Sequence, residues 1–177
     1  QLADRWYWAA LPAAGATATL AALPCGPGPA RLSPGGEFVL CASAADHALI
    51  VRLRDGRTFE RTDAPAAGAT LVDRGGTREL VFVAGNAVVA GRLKAGSETR
   101  VVAPEAPLRG LVASPDGSRA VGVYSAPPVG QPRITEPRDQ LFGFALDGTA
   151  ARRRLIRDGI VLDWSADGVW LLVQDGG

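Results

Sequence analysis

Short apolar runs of strand length alternate along this chain with small polar turns. The runs include Phe38-Val39-Leu40, Leu49-Ile50-Val51-Arg52-Leu53, Leu80-Val81-Phe82-Val83, Val88 to Leu93, Ala120 to Val123, Leu141 to Leu146 and Trp170 to Val173. They are rich in β-branched and aromatic residues and are bounded by Gly, Pro, Asp and Ser, which is the signature of strands. Proline and glycine recur too often for a helix of more than a turn or two. The best helical stretch, Ala150 to Ile156, reads instead as an outer strand with alternating sides. The pattern therefore predicts an all-β fold.

The turns repeat. Ser33-Pro34-Gly35-Gly36, Asp73-Arg74-Gly75-Gly76, Ser114-Pro115-Asp116-Gly117 and Ser165-Ala166-Asp167-Gly168 each precede an apolar run, with starts spaced 40, 41 and 51 residues apart. A second register of turn glycines, Gly15, Gly56, Gly96 and Gly148, is spaced 41, 40 and 52 apart. The distance from each of these glycines to the next turn start is 18, 17, 18 and 17 residues. Pro34 and Pro115 suit the second position of a turn because the ring fixes φ, and the Gly that follows supplies the permissive backbone. The glycines Gly36, Gly117 and Gly168, with Ser33, Ser114, Asp116, Ser165 and Asp167, are thus expected to be structural. The aspartates are expected to bind backbone N–H groups two residues on rather than to act as an acid–base pair or as calcium ligands.

One unit reads as strand, turn, strand, loop, strand, Asp-Gly-type turn, strand. Four strands in about 40 to 45 residues is the size of a propeller blade, and a blade needs neighbours to bury both faces. The repeats are expected to begin near residues 30, 70, 111 and 161, within one region covering 1–177. Residues 1–29 should hold the outer-strand hairpin of a preceding blade. Both ends read as cuts in a longer chain.

Ala113 to Ala120 and Leu162 to Leu171 carry the motif that resembles the blade signature of TolB-like propellers. Related turns occur in WD-repeat proteins and in the propellers of prolyl-oligopeptidase-type peptidases. The resemblance implies a β-propeller of four-stranded antiparallel blades, with about four blades' worth present here as part of a larger propeller. The copy at Asp73 is degenerate, and no copy has the Gly-His to Trp-Asp pairing of WD repeats.

Composition narrows function. With 47% hydrophobic and 21% charged residues and a net charge of +1, the chain is ordinary for a globular protein. It has no basic stripe beyond Arg152-Arg153-Arg154, so no nucleic-acid partner is expected. No run approaches the roughly 18 apolar residues of a membrane span, so no direct membrane insertion is expected. Cys25 and Cys41 lack zinc spacing. They read either as two small buried hydrophobes or as one disulfide of an exported protein. His47, the single histidine, reads as a residue of the loop between second and third strands. No cofactor or metal is expected. Trp6, Tyr7 and Trp8 form an aromatic cluster that either packs between blades or offers a stacking surface.

The third repeat is ten or eleven residues longer than its neighbours. The excess lies between Tyr124 and Leu141, where four prolines make Ser125 to Gln140 a stiff excursion outside the sheet. Per-repeat insertions cluster on one face, often the binding face. Arg133, Ile134, Glu136, Arg138 and Asp139 are therefore the candidate binding residues, for a protein or peptide partner. The expected role is a non-catalytic scaffold in an exported, periplasmic or secreted bacterial protein. The alternative is the substrate-gating propeller of a prolyl-oligopeptidase-type serine peptidase whose catalytic domain lies outside this chain.

Overall fold

A computed structural model describes residues 6–9, 20–94, 96–97, 99–103, 108, 110–126, 138–147, 153–157, 159–165 and 167–175. The described chain is all-β apart from one three-residue 3-10 turn at Ala66–Gly68. The strands are β1 (Tyr7–Trp8), β2 (Ala21–Ala22), β3 (Arg31–Leu32), β4 (Phe38–Ala42), β5 (His47–Arg52), β6 (Thr58–Pro65), β7 (Ala69–Arg74), β8 (Thr77–Ala84), β9 (Ala87–Arg92), β10 (Thr99–Ala103), β11 (Gly110–Ala113), β12 (Arg119–Ala126), β13 (Arg138–Ala145), β14 (Arg153–Arg157), β15 (Gly159–Trp164) and β16 (Leu171–Asp175). Three antiparallel four-stranded meanders result: sheet I (β3–β6), sheet II (β7–β10) and sheet III (β11–β14). Two two-stranded hairpins, β1–β2 and β15–β16, flank them in sequence.

The central strands are buried on both sides, which explains why their sequences run apolar instead of alternating. In sheet I, Phe38, Leu40, Ala48 and Ile50 pack with Leu71, Leu80 and Phe82 of sheet II. The residues between them, Val39, Cys41, Leu49 and Val51, pack on the other face with Leu23, Cys25 and Ala30. Sheet II repeats the pattern: Val81, Val83, Val88 and Ala90 point away from sheet I and meet Leu111, Ala120 and Phe144 of sheet III. Since successive strand residues face opposite sides, two apolar faces require an unbroken apolar run. Burying a side chain of this size is worth about 1.5–3 kcal/mol each.

The turns between first and second strands share one hydrogen-bond pattern in three of the four copies. Ser33, Ser114 and Ser165 donate their N–H to the carbonyls of Phe38, Arg119 and Trp170 at 2.8–2.9 Å, and the residue at each of those positions returns its N–H to the serine Oγ. Gly36, Gly117 and Gly168 each donate to the serine carbonyl at 2.9 Å with φ near +70°. The degenerate copy closes differently, as a two-residue hairpin with Gly75 and Gly76 at φ 57° and 78°. Two consecutive positive φ values suit the right-handed strand twist, and glycine adopts them without strain.

Two expectations about elements need correction. The third-repeat excursion is shorter than Ser125 to Gln140, because Ser125 pairs with Asp139 and Ala126 with Arg138, extending the β12–β13 ladder at both ends of the insert. Backbone pairing tolerates these residues because all four prolines fall between them. His47 opens β5 and is not a loop residue.

Candidate functional site

The serine–aspartate–glycine turns come together at one end of the stacked sheets. A Cβ on Gly168 would lie 3.2 Å from Asp116 Oδ1, and one on Gly117 would lie 3.1 Å from the Asp73 carbonyl. Arg78, in the hairpin of sheet II, donates to Ser33 Oγ at 3.1 Å. Each turn thus touches the turn before it. Within a turn, Asp116 accepts from the Ser114 and Ser118 hydroxyls and from the Ser118 N–H, while Asp167 accepts from Ser165 Oγ and the Val169 N–H. Burial raises the Asp116 pKa, but the serine hydroxyls and the Ser118 N–H outweigh it and the net shift is downward. The Ser165 hydroxyl, followed by the Val169 N–H, lowers Asp167. Both carboxylates are charged acceptors committed to their own turns, so their chemistry is structural.

At the opposite end the β12–β13 ladder stops at Ala126 and Arg138, which flank the insert of the third repeat in sequence. Arg133, Ile134 and Glu136 fall outside the described residues. Arg138 and Asp139 hold ladder positions at the base of the insert, opposite Ala126 and Ser125. The β12–β13 ladder has eight residue pairs, against five for β4–β5 and six for β8–β9. The third hairpin therefore projects beyond its neighbours at this end.

Two cavities accompany these ends. One, of about 400 Å³, is bounded by the first strand of every unit: Arg31 and Leu32 on β3, Thr70 and Leu71 on β7, Val112 and Ala113 on β11, Val161 and Trp164 on β15. Arg31 donates across it to the Leu111 carbonyl at 3.3 Å, linking sheets I and III past sheet II. The other, about 710 Å³ and mostly apolar, runs between Trp6, Tyr7 and Trp8 and the β3–β4 side of sheet I. Trp6 is held there by its indole N–H on the Gly28 carbonyl at 2.9 Å.

Cys25 and Cys41 are joined as a disulfide, Cα to Cα 5.8 Å, which fastens the segment after β2 onto β4. His47 lies 3.6 Å from Glu60 on the neighbouring strand, half exposed. Among the described residues no three His, Cys, Asp or Glu side chains converge as a metal site.

Three arginines that sequence reading overlooked bridge the sheets. Arg61 on β6 is fully buried; it grips Asp63 with two bonds of 2.7 and 2.8 Å, donates to the Arg92 carbonyl of sheet II and lies 5.0 Å from the Phe82 ring centroid. Arg78 lies 4.9 Å from Phe38 of sheet I. Arg100 on β10 donates to the carbonyl of Leu146, just past the end of β13, and pairs with Glu79. Their signal was faint: each stands at an edge-strand or turn position where an arginine ordinarily meets water. No protein-family model and no curated protein matches the chain.

Proposed function

We propose that this chain is a β-propeller module serving as a non-catalytic scaffold, and that it binds a protein or peptide at the end where the third hairpin projects. Support for the radial arrangement comes from the first strands of all four units, which border one cavity. Consecutive four-stranded meanders packed face to face agree with it, because such units must stack to bury both faces. The observation that carries the binding site is the eight-pair β12–β13 ladder, longer than the matching ladders of sheets I and II, between whose ends the proline-rich insert falls in sequence. Prolines restrict the insert, so ordering it on a partner costs little. Arg133 and Arg138 would supply planar hydrogen-bonding forks and Ile134 an apolar anchor, with Glu136 and Asp139 at the polar rim. The Cys25–Cys41 disulfide favours an oxidising compartment, in keeping with an exported bacterial protein.

The cavity at the convergence of the first strands favours a second reading, a propeller that gates substrate access to a peptidase domain outside this chain.

The test is a chain whose residues 127–137 are replaced by a two-residue Asn-Gly turn, used beside the full-length chain to capture partners from the source organism's extracellular fraction. Loss of a captured protein in the shortened form is expected. Equal capture and equal affinity by both forms would refute the site.

A further inference from the structure

We propose that Asp55, Asp116 and Asp167 are guarded sites of spontaneous isomerisation, each kept from reacting with the glycine after it by a side chain ahead of it in the turn: Arg52, Ser114 and Ser165. The proposal concerns these turns alone and is independent of what the insert binds.

The sequence sets the problem. Aspartate precedes glycine six times, at 55–56, 116–117, 147–148, 158–159, 167–168 and 175–176. An aspartyl bond to glycine is the one most open to an internal reaction, because glycine has no Cβ to shield its nitrogen. That nitrogen attacks Cγ of the aspartate. An N–C bond forms, the amide proton and the carboxyl hydroxyl depart together as water, and a five-membered imide results. Water then opens the ring at either carbonyl. Opening at the α-carbonyl leaves the chain running through the former side chain, with one more methylene in the backbone.

The damage would spread in this fold. Gly117 and Gly168 take φ values of 66° and 69°, and a Cβ on either would meet the preceding turn at 3.1 and 3.2 Å. A lengthened backbone at Asp116 or Asp167 would therefore displace the turn of the neighbouring sheet as well as its own.

In the three pairs of which both residues are described, the geometry opposes each requirement of the reaction. The attacking nitrogen must lose its proton, but Gly56, Gly117 and Gly168 donate theirs to the carbonyls of Arg52, Ser114 and Ser165 at 2.8–2.9 Å. The carboxyl must turn towards that nitrogen, but the N–H one residue further on holds it: Arg57 on Asp55 at 3.2 Å, Ser118 on Asp116 at 3.1 Å and Val169 on Asp167 at 3.0 Å. The carboxyl must also be neutral, because a carboxylate has no hydroxyl to lose. Here the guards act. Arg52 grips both oxygens of Asp55 and draws its pKa down to about 2, and Ser165 Oγ draws Asp167 down. At Asp116 burial would raise the pKa, and the Ser114 and Ser118 hydroxyls outweigh it. One device recurs, with a guanidinium in one turn and a hydroxyl in two.

The experiment follows isoaspartate at each of the three positions by peptide mapping of the full chain held at neutral pH. Folded wild type should isomerise at all three more slowly than the same chain in urea. Arg52→Ala, Ser114→Ala and Ser165→Ala should each speed isomerisation at its own aspartate by about tenfold, the rate equivalent of one hydrogen bond to a charged group. The other two aspartates of the same molecule are the internal control and should keep the wild-type rate. Arg52→Lys and Ser165→Thr, which retain a donor, should stay near the wild-type rate. Variants whose own aspartate isomerises no faster than in wild type, or in which all three accelerate together through general unfolding, would overturn the guarding role. Equal rates in the folded and the urea-treated chain would do the same. None of these readings involves a partner, so this proposal and the binding site fail separately.

Discussion

Arg78 of sheet II donates to the hydroxyl of Ser33 in the first turn of sheet I at 3.1 Å, while its other nitrogen holds Asp73 at 2.8 Å. The relationship accounts for the irregular second copy of the turn. That copy lacks the serine that caps the other three turns. Its arginine instead reaches the serine of the neighbouring copy and covers the Phe38 ring. The turn that departs most from the repeat is thus tied into it from outside.

The arginine bridges should carry measurable stability. Replacing Arg61 with Ala should cost about 2–4 kcal/mol, less than a fully buried pair because Asp63 is half exposed and can be rehydrated. Arg61→Lys should recover only part of this, since an ammonium cannot make the two-bond fork. Arg78→Ala should cost about 1–3 kcal/mol. Urea unfolding midpoints of the three variants check the order; equal midpoints for wild type and Arg61→Ala would refute the bridging role.

Gly117 and Gly168 have the same backbone conformation and different neighbours, which separates strain from crowding. Valine at either position should cost about 1–3 kcal/mol, because a β-branched residue resists positive φ. Gly117→Val should be the more damaging, since its Cβ would press on the backbone carbonyl of Asp73 and on Val72, whereas Gly168 faces the movable carboxylate of Asp116. Thermal melting of both variants reads the difference, and a Gly168 variant less stable than the Gly117 variant would contradict the packing of turn on turn.

Removing the cross-link should loosen one end of the molecule. Cys25 and Cys41 are 16 residues apart, and a loop of this length corresponds to about 3 kcal/mol in the chain-entropy account. Cys25→Ala should lower stability by about that amount and speed amide exchange at residues 20–23 more than in sheets II and III. A uniform increase across all sheets would show instead that the bond supports the whole fold.

Acid should weaken the fold in a defined window. The Arg52 guanidinium, helped by the Arg57 N–H, holds the Asp55 carboxyl down to about 2, and hydroxyl bonds lower Asp167 in the same direction. A carboxyl lowered on folding stabilises the native state above its unfolded pKa and loses that contribution as pH falls through the folded value. The urea midpoint should therefore decline between about pH 4 and pH 2. Asp55→Asn should make this decline shallower, and an unchanged slope would mean the pair contributes nothing in solution.

Much of this architecture was legible because turns carry chemistry that strands do not. Ser33, Ser114 and Ser165 mark the turns that follow β3, β11 and β15, the strands that begin at Arg31, Gly110 and Gly159. The arginine bridges were hidden because Arg61 sits in Phe59-Glu60-Arg61-Thr62-Asp63, a polar stretch that reads as a solvated edge. The ends of the insert misled for a related reason: four prolines colour the whole segment, although Arg138, Asp139 and Gln140 lie beyond the last of them and remain free to pair. The cysteines stayed ambiguous because sequence spacing says nothing of the distance between two Cα atoms.

Leu40 and Leu80 each stand seven residues after the start of their turns, yet they meet each other across the gap between sheets I and II, one facing forward and the other back. With both faces apolar, a strand gains nothing by choosing one side over the other, and the turns alone decide its phase. Interior surfaces so alike are interchangeable in evolution. A gene segment encoding one such sheet can be copied in tandem, and the copy finds an acceptable neighbour on either side without further change to its strands.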